Sequence, residues 1–365
     1  MAPAQTRKGL SRRRFAGALD LLGIGAAGAA IAPNALGVQH PAAADAAPVV
    51  PSHDMAGMGT TATNATTPSN QEAMTADEMD AMHEVSIKAF PAPTGGLGGQ
   101  RLQPVMDGDV KVFSLIAQAV QWEYQPGKFA EAFAYNGVVP GPEIRVTEGD
   151  KVRIVVNNQL PQSTSVHFHG VMVPNDMDGV PHITQPSIKP GAGFVYEFPI
   201  CEGNAGTHMY HSHHNSTEQV GKGLLGPFII EPKDLTTRPN HDLEYTIVLN
   251  DGPIGGFSLN RKSFPTTQPF VAKRGQRVLF RFINEGQMIH PMHPHGMPMR
   301  VVAEDGYVLP QPYRRDTIHI DPGARIEAIV EATEVGTWAL RCHVLSHAEG
   351  PTGMFGMVSA LIVQE

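Results

Sequence analysis

Near the C-terminus a cysteine stands beside a histidine, and a second histidine follows five positions after the cysteine. These residues are Cys342, His343 and His347, and Met354 lies on the short stretch beyond them. One thiolate, imidazoles and a distant thioether suit a blue copper centre, because soft sulfur holds Cu(I) and imidazole suits both oxidation states. The segment therefore predicts a copper site on a short loop.

The remaining imidazole must come from elsewhere in the chain. His290, in the sequence HPMHPHG at residues 290–296, is the candidate. A buried free cysteine near surface histidines is the competing interpretation, and Cys-His adjacency alone would favour it. The accompanying histidine clusters make that interpretation a poor one.

The first residues predict an export signal. Arg12, Arg13 and Arg14 precede an Ala- and Gly-rich apolar run through about Pro33, which is a twin-arginine pattern. We assign residues 1–37 to this signal and expect export to the periplasm, the cell surface or the medium. Many small residues and an aspartate make the run a weak membrane span, so no stable membrane insertion is expected.

Residues 38–84 are rich in Ala, Thr, Pro and Ser, and they predict a disordered, flexible linker. Its spaced thioethers and imidazoles suit Cu(I) binding, although a mobile tail with incidental methionines explains the composition equally well. These side chains are His53, Met55, Met58, Met74, Met79, Met82 and His83. The formal charge is -8 and no basic run follows the signal, so nucleic acid is not an expected partner.

The rest of the chain consists of short β runs separated by Gly, Pro and Asn, with no long amphipathic helix evident. An internal repeat divides it into two similar β-sandwiches, at 85–233 and 243–365. The matching segments are 149–152 with 275–278, 167–170 with 293–296, 190–192 with 322–324, and 206–213 with 336–343.

The two copies differ where a thiolate copper site would form. Ser212 stands at the position of Cys342, and Thr164 stands at the position of His290, so only the second copy can build that site. Both copies keep histidines one residue apart, and such residues of a strand point to the same face. The pairs are His167/His169, His211/His213 and His293/His295, with His343 alone at the fourth matching place.

Four of these segments resemble the copper-binding segments of multicopper oxidases: HFHG at 167–170, YHSH at 210–213, HPMHPHG at 290–296 and CHVLSH at 342–347. The resemblance covers nearly everything from about Val110 onward and is closest to the two-domain, small-laccase branch. It implies an all-β fold of two tandem cupredoxin-like Greek-key β-sandwiches, with type 1 copper in the second.

The resemblance also implies a ligand set and an assembly. Type 1 copper would take His290, Cys342, His347 and an axial methionine, type 2 copper His167 and His293, and the type 3 pair His169, His211, His213, His295 and His343. Asp178 matches an acid that relays protons toward bound O2, and Cys342 with His343 matches the electron path. Because the contact in the relatives is head-to-tail, a closed homotrimer is implied.

Two departures from the family pattern matter. The family usually has His-Cys-His, whereas Arg341 precedes Cys342 here. Arginine stays protonated and has no free lone pair, so one type 3 copper lacks a ligand and is either rebuilt with another ligand or absent. The loop after His347 is also two residues longer than usual, which makes Met354 the axial choice and Met357 the alternative.

The leading functional hypothesis is a laccase-like oxidase that takes single electrons from a phenol or a metal ion and reduces O2 to water. A copper nitrite reductase is the second hypothesis. In that family type 1 copper usually lies in the first domain and the residue before the Cys is a ligand, and both features count against it here. The third is a non-enzymatic copper-binding or electron-carrying protein with a degraded cluster.

Overall fold

The computed structural model describes residues 74–365, which belong to one compact unit. Strands dominate this part of the chain, which confirms the all-β prediction. The signal predicted over 1–37 and most of the predicted linker, residues 38–73, lie outside the described residues. No helix within 74–365 has the length and apolar character that a membrane span requires.

The first sandwich contains β1 (Val105–Asp107), β2 (Val110–Gln125), β3 (Lys128–Tyr135), β4 (Ile144–Thr147), β5 (Lys151–Asn158), β6 (His167–His169), β7 (Gly193–Pro199), β8 (Gly206–His211) and β9 (Leu225–Glu231). One sheet has the order β1–β2–β5–β7, with β3 also paired to β2, and the other has the order β4–β9–β8–β6. Side chains from both sheets, such as Ile154 and Phe168, share one buried core.

The second sandwich contains β10 (Leu243–Asn250), β11 (Ser258–Leu259), β12 (Phe270–Lys273), β13 (Arg277–Asn284), β14 (His290–Pro294), β15 (Met299–Glu304), β16 (Tyr307–Arg315), β17 (Ile318–Ile320), β18 (Arg325–Glu331), β19 (Gly336–Cys342), β20 (Glu349–Gly350), β21 (Gly353–Met354) and β22 (Val358–Gln364). Its sheets have the orders β11–β10–β13–β18–β15–β16 and β12–β22–β19–β14–β17, and β20 pairs with β21.

Strand pairing repeats between the two sandwiches. β5 lies parallel to β2, as β13 lies parallel to β10, and β9 lies parallel to β4, as β22 lies parallel to β12. β8 runs antiparallel between β6 and β9, as β19 does between β14 and β22. The histidine-bearing strands therefore occupy equivalent places in the two copies.

β5 and β13 show why equivalent strands differ in composition. In β5 buried residues alternate with more exposed ones, as expected when one face meets the core and the other meets solvent. In β13 nearly every residue is buried. Its Phe280 faces the second core, whereas Ile283 packs with Met209 of the first sandwich, so both faces of β13 are covered.

A buried ion pair fixes the histidine strand β8 to the second sandwich. The Arg281 guanidinium donates to Glu327 Oε1 at 2.6 Å and to Thr207 Oγ1 at 2.8 Å, and the Thr207 hydroxyl donates to the same carboxylate at 2.6 Å. Thr207 belongs to β8, and the other two residues belong to β13 and β18. Because each group is bonded, removing one partner would leave a buried charge unpaired.

Five short helical segments complete the described fold: α1 (Ala76–Lys88), α2 (Ser216–Gly221) and 3-10 turns at Asn175–Met177, Leu235–Thr237 and Leu345–His347. The first of them differs from the flexible linker expected over 38–84, since residues 76–84 are helical. Thr75 and Glu78 form a capping box that satisfies two backbone N–H groups at its start. α1 packs on β21, where Ser86 Oγ donates to the Met354 carbonyl at 2.9 Å.

Candidate metal centre

Three predicted type 1 ligands meet in the second sandwich. The Sγ atom of Cys342 lies 4.0 Å from His290 Nδ1 and 3.6 Å from His347 Nδ1, and these three atoms all lie within 4.8 Å of one another. His290 and Cys342 are 0% exposed, and His347 is 1% exposed. Two nitrogens and one sulfur lying this close together in a buried core fit a copper ion.

The backbone holds these ligands in register. Cys342 lies opposite Met292 in the β14–β19 pair, and its N–H donates to the Met357 carbonyl at 3.0 Å. The Met357 N–H in turn donates to the His347 carbonyl at 2.9 Å. Burial raises the pKa of the Cys342 thiol to about 11, so a metal must displace its proton to bind.

The two candidate axial methionines have different surroundings. Met357 is fully buried and belongs to the same core cluster as Cys342. Met354 is half-buried and packs in a separate cluster with Phe90 and Phe264. Met357 is buried with Cys342, and its backbone is hydrogen-bonded to Cys342 and His347. These contacts favour the alternative residue, Met357, over the first choice, Met354, as the axial ligand.

Four histidines of the first sandwich gather at one end of β6 and β8. Ligand atoms of His167, His169 and His211 lie within 4.8 Å of one another. The His213 ring centroid lies 5.6 Å from that of His167 and 6.4 Å from that of His211. Burial lowers the pKa values of His167, His169 and His211, that of His169 to about 3, which keeps the imidazoles neutral as metal binding requires.

Hydrogen bonds to the chain orient several of these rings. His167 Nδ1 bonds to the Asp178 carbonyl at 2.8 Å, and the Asp178 carboxylate lies 3.4 Å from the same nitrogen. His211 Nδ1 bonds to the Ser212 carbonyl at 2.9 Å. When Nδ1 donates to a carbonyl, Nε2 keeps a free lone pair for a metal. Asp178 therefore lies beside the histidine cluster.

The second sandwich brings together His293, His295 and His343, with ring centroids 5.1 Å apart for the first two and 5.6 Å apart for His293 and His343. Among residues 74–365, His295 Nε2 is buried without a hydrogen-bond partner, and so is the nearby Arg341 Nη1. The pKa of His295 is lowered, mainly by burial and further by the neighbouring His293, Arg341 and His343. An imidazole nitrogen without a partner fits a metal, whereas the cationic guanidinium of Arg341 beside it has no lone pair to offer one.

The first sandwich fills the place of a thiolate site with a polar network. Ser212 Oγ and Thr164 Oγ1 lie 3.3 Å apart, and both hydroxyls donate to Gln219 Oε1, at 2.5 Å and 2.8 Å. All three side chains are buried. This network leaves no soft ligand at the position equivalent to Cys342, in agreement with the sequence.

Sequence reasoning missed three residues around the candidate sites. Asp251 Oδ2 lies 3.4 Å from His290 Nε2, and the Phe257 ring stacks on His347. Glu285 and Asp251 line a cavity of about 400 Å³ together with the four histidines of the first sandwich. Burial raises the pKa of Glu285 to about 7. None of the three belongs to a motif, since loops of the second sandwich bring them there.

Comparison with known proteins agrees with this geometry. Two family models described as multicopper oxidase match residues 116–235 and 236–361. The solved structure of the blue copper oxidase from Nitrosomonas europaea superposes with a TM-score of 0.65 at 32% identity, covering 70% of this chain and 86% of that one.

Curated relatives include copper resistance protein A of Pseudomonas syringae pv. tomato, 42% identical over 126 residues, which are 34% of this chain and 20% of the relative. Laccase-3 of Thanatephorus cucumeris is 31% identical over 269 residues, covering 61% of this chain and 46% of the relative. The chain thus spans about a fifth of the length of the copper resistance protein and about half of the length of the laccase. It belongs to the multicopper oxidases, a family of copper-dependent oxidoreductases that includes the laccases.

Proposed function

We propose that this protein is an exported, laccase-like oxidase that accepts single electrons at the Cys342 site and reduces O2 to water at a histidine cluster. The observation that carries the proposal is the coexistence of a buried Cys/His site with two separate histidine groups. Copper, when bound to these residues, supplies the one-electron chemistry and the reduction of O2.

The chain's own residues supply the connections between the sites. Cys342 and His343 are neighbours in sequence, so one covalent segment joins the buried site to the histidine group of the second sandwich. Reduction of O2 consumes four protons as well as four electrons. In this proposal the Asp178 carboxylate, which is partly exposed and lies 3.4 Å from His167 Nδ1, passes protons from solvent to the cluster.

The proposed assembly is a homotrimer in which each cluster is shared by two subunits. Among residues 74–365, no group of closely spaced metal-binding atoms combines histidines of the two sandwiches. His213 and His343 are exposed in the single chain. The second sandwich of one neighbouring subunit would cover His213, and the first sandwich of another would cover His343. A head-to-tail contact of this kind closes into a ring. Light scattering on the purified protein tests this arrangement.

The electron donor is proposed to be a small metal ion, with Cu(I) favoured over a phenol. Met79, Met82 and His83 share one face of α1, and they are partly exposed. His83 Nδ1 lies 4.0 Å from Glu349 Oε1, on the loop that follows His347. The helix that carries these thioethers therefore packs against the loop after His347, and Cu(I) bound to it would be held near its electron acceptor.

The test is copper analysis of the purified protein with O2 uptake in the presence of Cu(I) or a phenol. Blue absorption, several coppers per chain and donor-dependent O2 uptake would support the proposal. Turnover with nitrite and none with O2 would contradict it. Arg341 favours one alternative, a copper-binding electron carrier with a degraded cluster, for which about one copper per chain is expected instead of about four.

A further inference from the structure

We propose that Phe257 determines which electron donors reach the type 1 site, because its ring covers the His347 imidazole. This inference rests on the proposed oxidase function. Phe257 would act on the transfer of electrons from an external donor to the type 1 site, and the copper ligands alone do not determine which donors can take part.

The first step is the close contact between the two rings. Their centroids lie 3.7 Å apart at an interplanar angle of 17°, which is face-to-face stacking. Phe257 is half-buried, whereas His347 is only 1% exposed. The Phe257 ring is therefore a layer between solvent and the imidazole.

Two neighbouring residues, Ser263 and Gly356, fix and permit this contact. Ser263 Oγ donates to the Phe257 carbonyl at 2.8 Å, which fixes the backbone that carries the ring. Gly356 has a φ of 62°, and a Cβ atom there would lie 2.3 Å from the His347 carbonyl oxygen and 3.1 Å from Phe257 Cβ. A side chain at 356 would thus push the two residues apart, and glycine permits the approach.

The consequence concerns donor size. His290 and Cys342 are fully buried, and His347 lies under the half-buried Phe257 ring, so this ring is the layer between the His347 imidazole and solvent. Electron transfer weakens steeply with distance, and an aromatic donor that approaches His347 from solvent rests on the Phe257 ring instead of the imidazole, so its electron is transferred more slowly. A small metal ion held by neighbouring side chains does not depend on an aromatic contact surface. Phe257 therefore selects against phenols and for metal ions.

The experiment measures electron entry separately from O2 reduction. Anaerobic stopped-flow follows bleaching of the blue absorption after mixing with 2,6-dimethoxyphenol or with Cu(I), for the wild type, Phe257→Ala and Phe257→Leu. We expect Phe257→Ala to raise the ratio of phenol to Cu(I) rate constants about tenfold or more, since pocket contacts of this size discriminate by such factors. Phe257→Leu, which keeps bulk over the ring, is expected to raise it much less.

A control and a second readout keep the outcome decisive. Phe129→Ala removes an aromatic ring that is 59% exposed on β3 of the first sandwich, and it should leave the ratio unchanged. Diethyl pyrocarbonate, with modified residues mapped by mass spectrometry, should label His347 in Phe257→Ala and not in the wild type. If Phe257→Ala loses copper, Phe257→Val carries the same expectation.

An unchanged ratio in a blue Phe257 variant, or equal labelling of His347 in the variant and the wild type, would overturn the inference. Failure of the proposed function would look different. In that case the blue absorption would bleach with a donor, yet no O2 would be consumed.

Discussion

Arg341 lies directly opposite His293 across the β14–β19 pair, in the register that His211 and His167 occupy across β8 and β6. The structural repeat therefore contains one histidine pair of this kind and one pair in which a guanidinium replaces an imidazole. Arg341 Nη1 is buried and finds no hydrogen-bond partner in the described part of the chain. Arginine has no free lone pair and its positive charge repels a metal ion, so the second sandwich offers three imidazoles where the first offers four.

Replacing Arg341 with His should increase the copper bound per chain. The variant restores an imidazole at the position equivalent to His211 and removes a positive charge, and both changes favour a metal ion. Plasma emission spectrometry of the purified trimer or monomer fractions gives the copper content. Arg341→Gln is the matched control, because it removes the charge without adding an imidazole. Equal copper content in Arg341→His and the wild type would show that Arg341 does not limit the cluster.

The fold and the proximity of the three candidate type 1 residues could be predicted from the sequence, because both depend on local patterns. His290, Cys342 and His347 lie on β14, β19 and the turn after β19, and the strand repeat determines where these elements pair. Phe257 and Glu285 were missed, because their positions depend on how loops fold over the sandwiches. The helix at 76–88 was missed because its capping box lies in a stretch of otherwise linker-like composition.

The axial methionine can be identified by substitution. Met357→Leu should shift the blue absorption and the reduction potential of the type 1 site, since the axial ligand tunes both. Met354→Leu should leave them nearly unchanged, because Met354 packs with Phe90 and Phe264 and not in the Cys342 core. Each change keeps the side-chain volume and should cost less than about 1.5 kcal/mol of stability. A spectral shift confined to Met354→Leu would restore Met354 as the axial residue.

The thioethers of α1 should matter for Cu(I) and not for phenols. Replacing Met79 and Met82 together with Leu keeps the apolar volume and removes both soft ligands. We expect KM for Cu(I) to rise about tenfold, equivalent to about 1.4 kcal/mol of binding free energy, with no change for a phenol. Met106→Leu, at a position 55% exposed on β1, is the control. An equal rise in KM for both donors would instead indicate a general change in the type 1 loop.

Glu285 should make the stability of the protein fall as pH rises, and Glu285→Gln should remove that dependence. Its pKa is raised from 4.5 to about 7 by burial, so between these values the unfolded chain releases a proton that the folded chain retains. The contribution of this group to the free energy of unfolding therefore falls as pH rises from about 4.5 to about 7 and stays low above that range. Glu285→Gln should be more stable than the wild type by on the order of 2–3 kcal/mol at pH 8, and by much less at pH 5.

Urea unfolding of the metal-free proteins at about pH 5 and about pH 8 measures this difference, because bound cations near the cavity would themselves lower the pKa of Glu285. Glu334→Gln is the control, since that residue is exposed and the same exchange there should leave the pH dependence as it is in the wild type. A stability difference between Glu285→Gln and the wild type that is the same at both pH values would mean that Glu285 is already ionised in the folded protein. In that case the charge is compensated by the Arg261 guanidinium, whose attraction opposes the effect of burial on the Glu285 pKa.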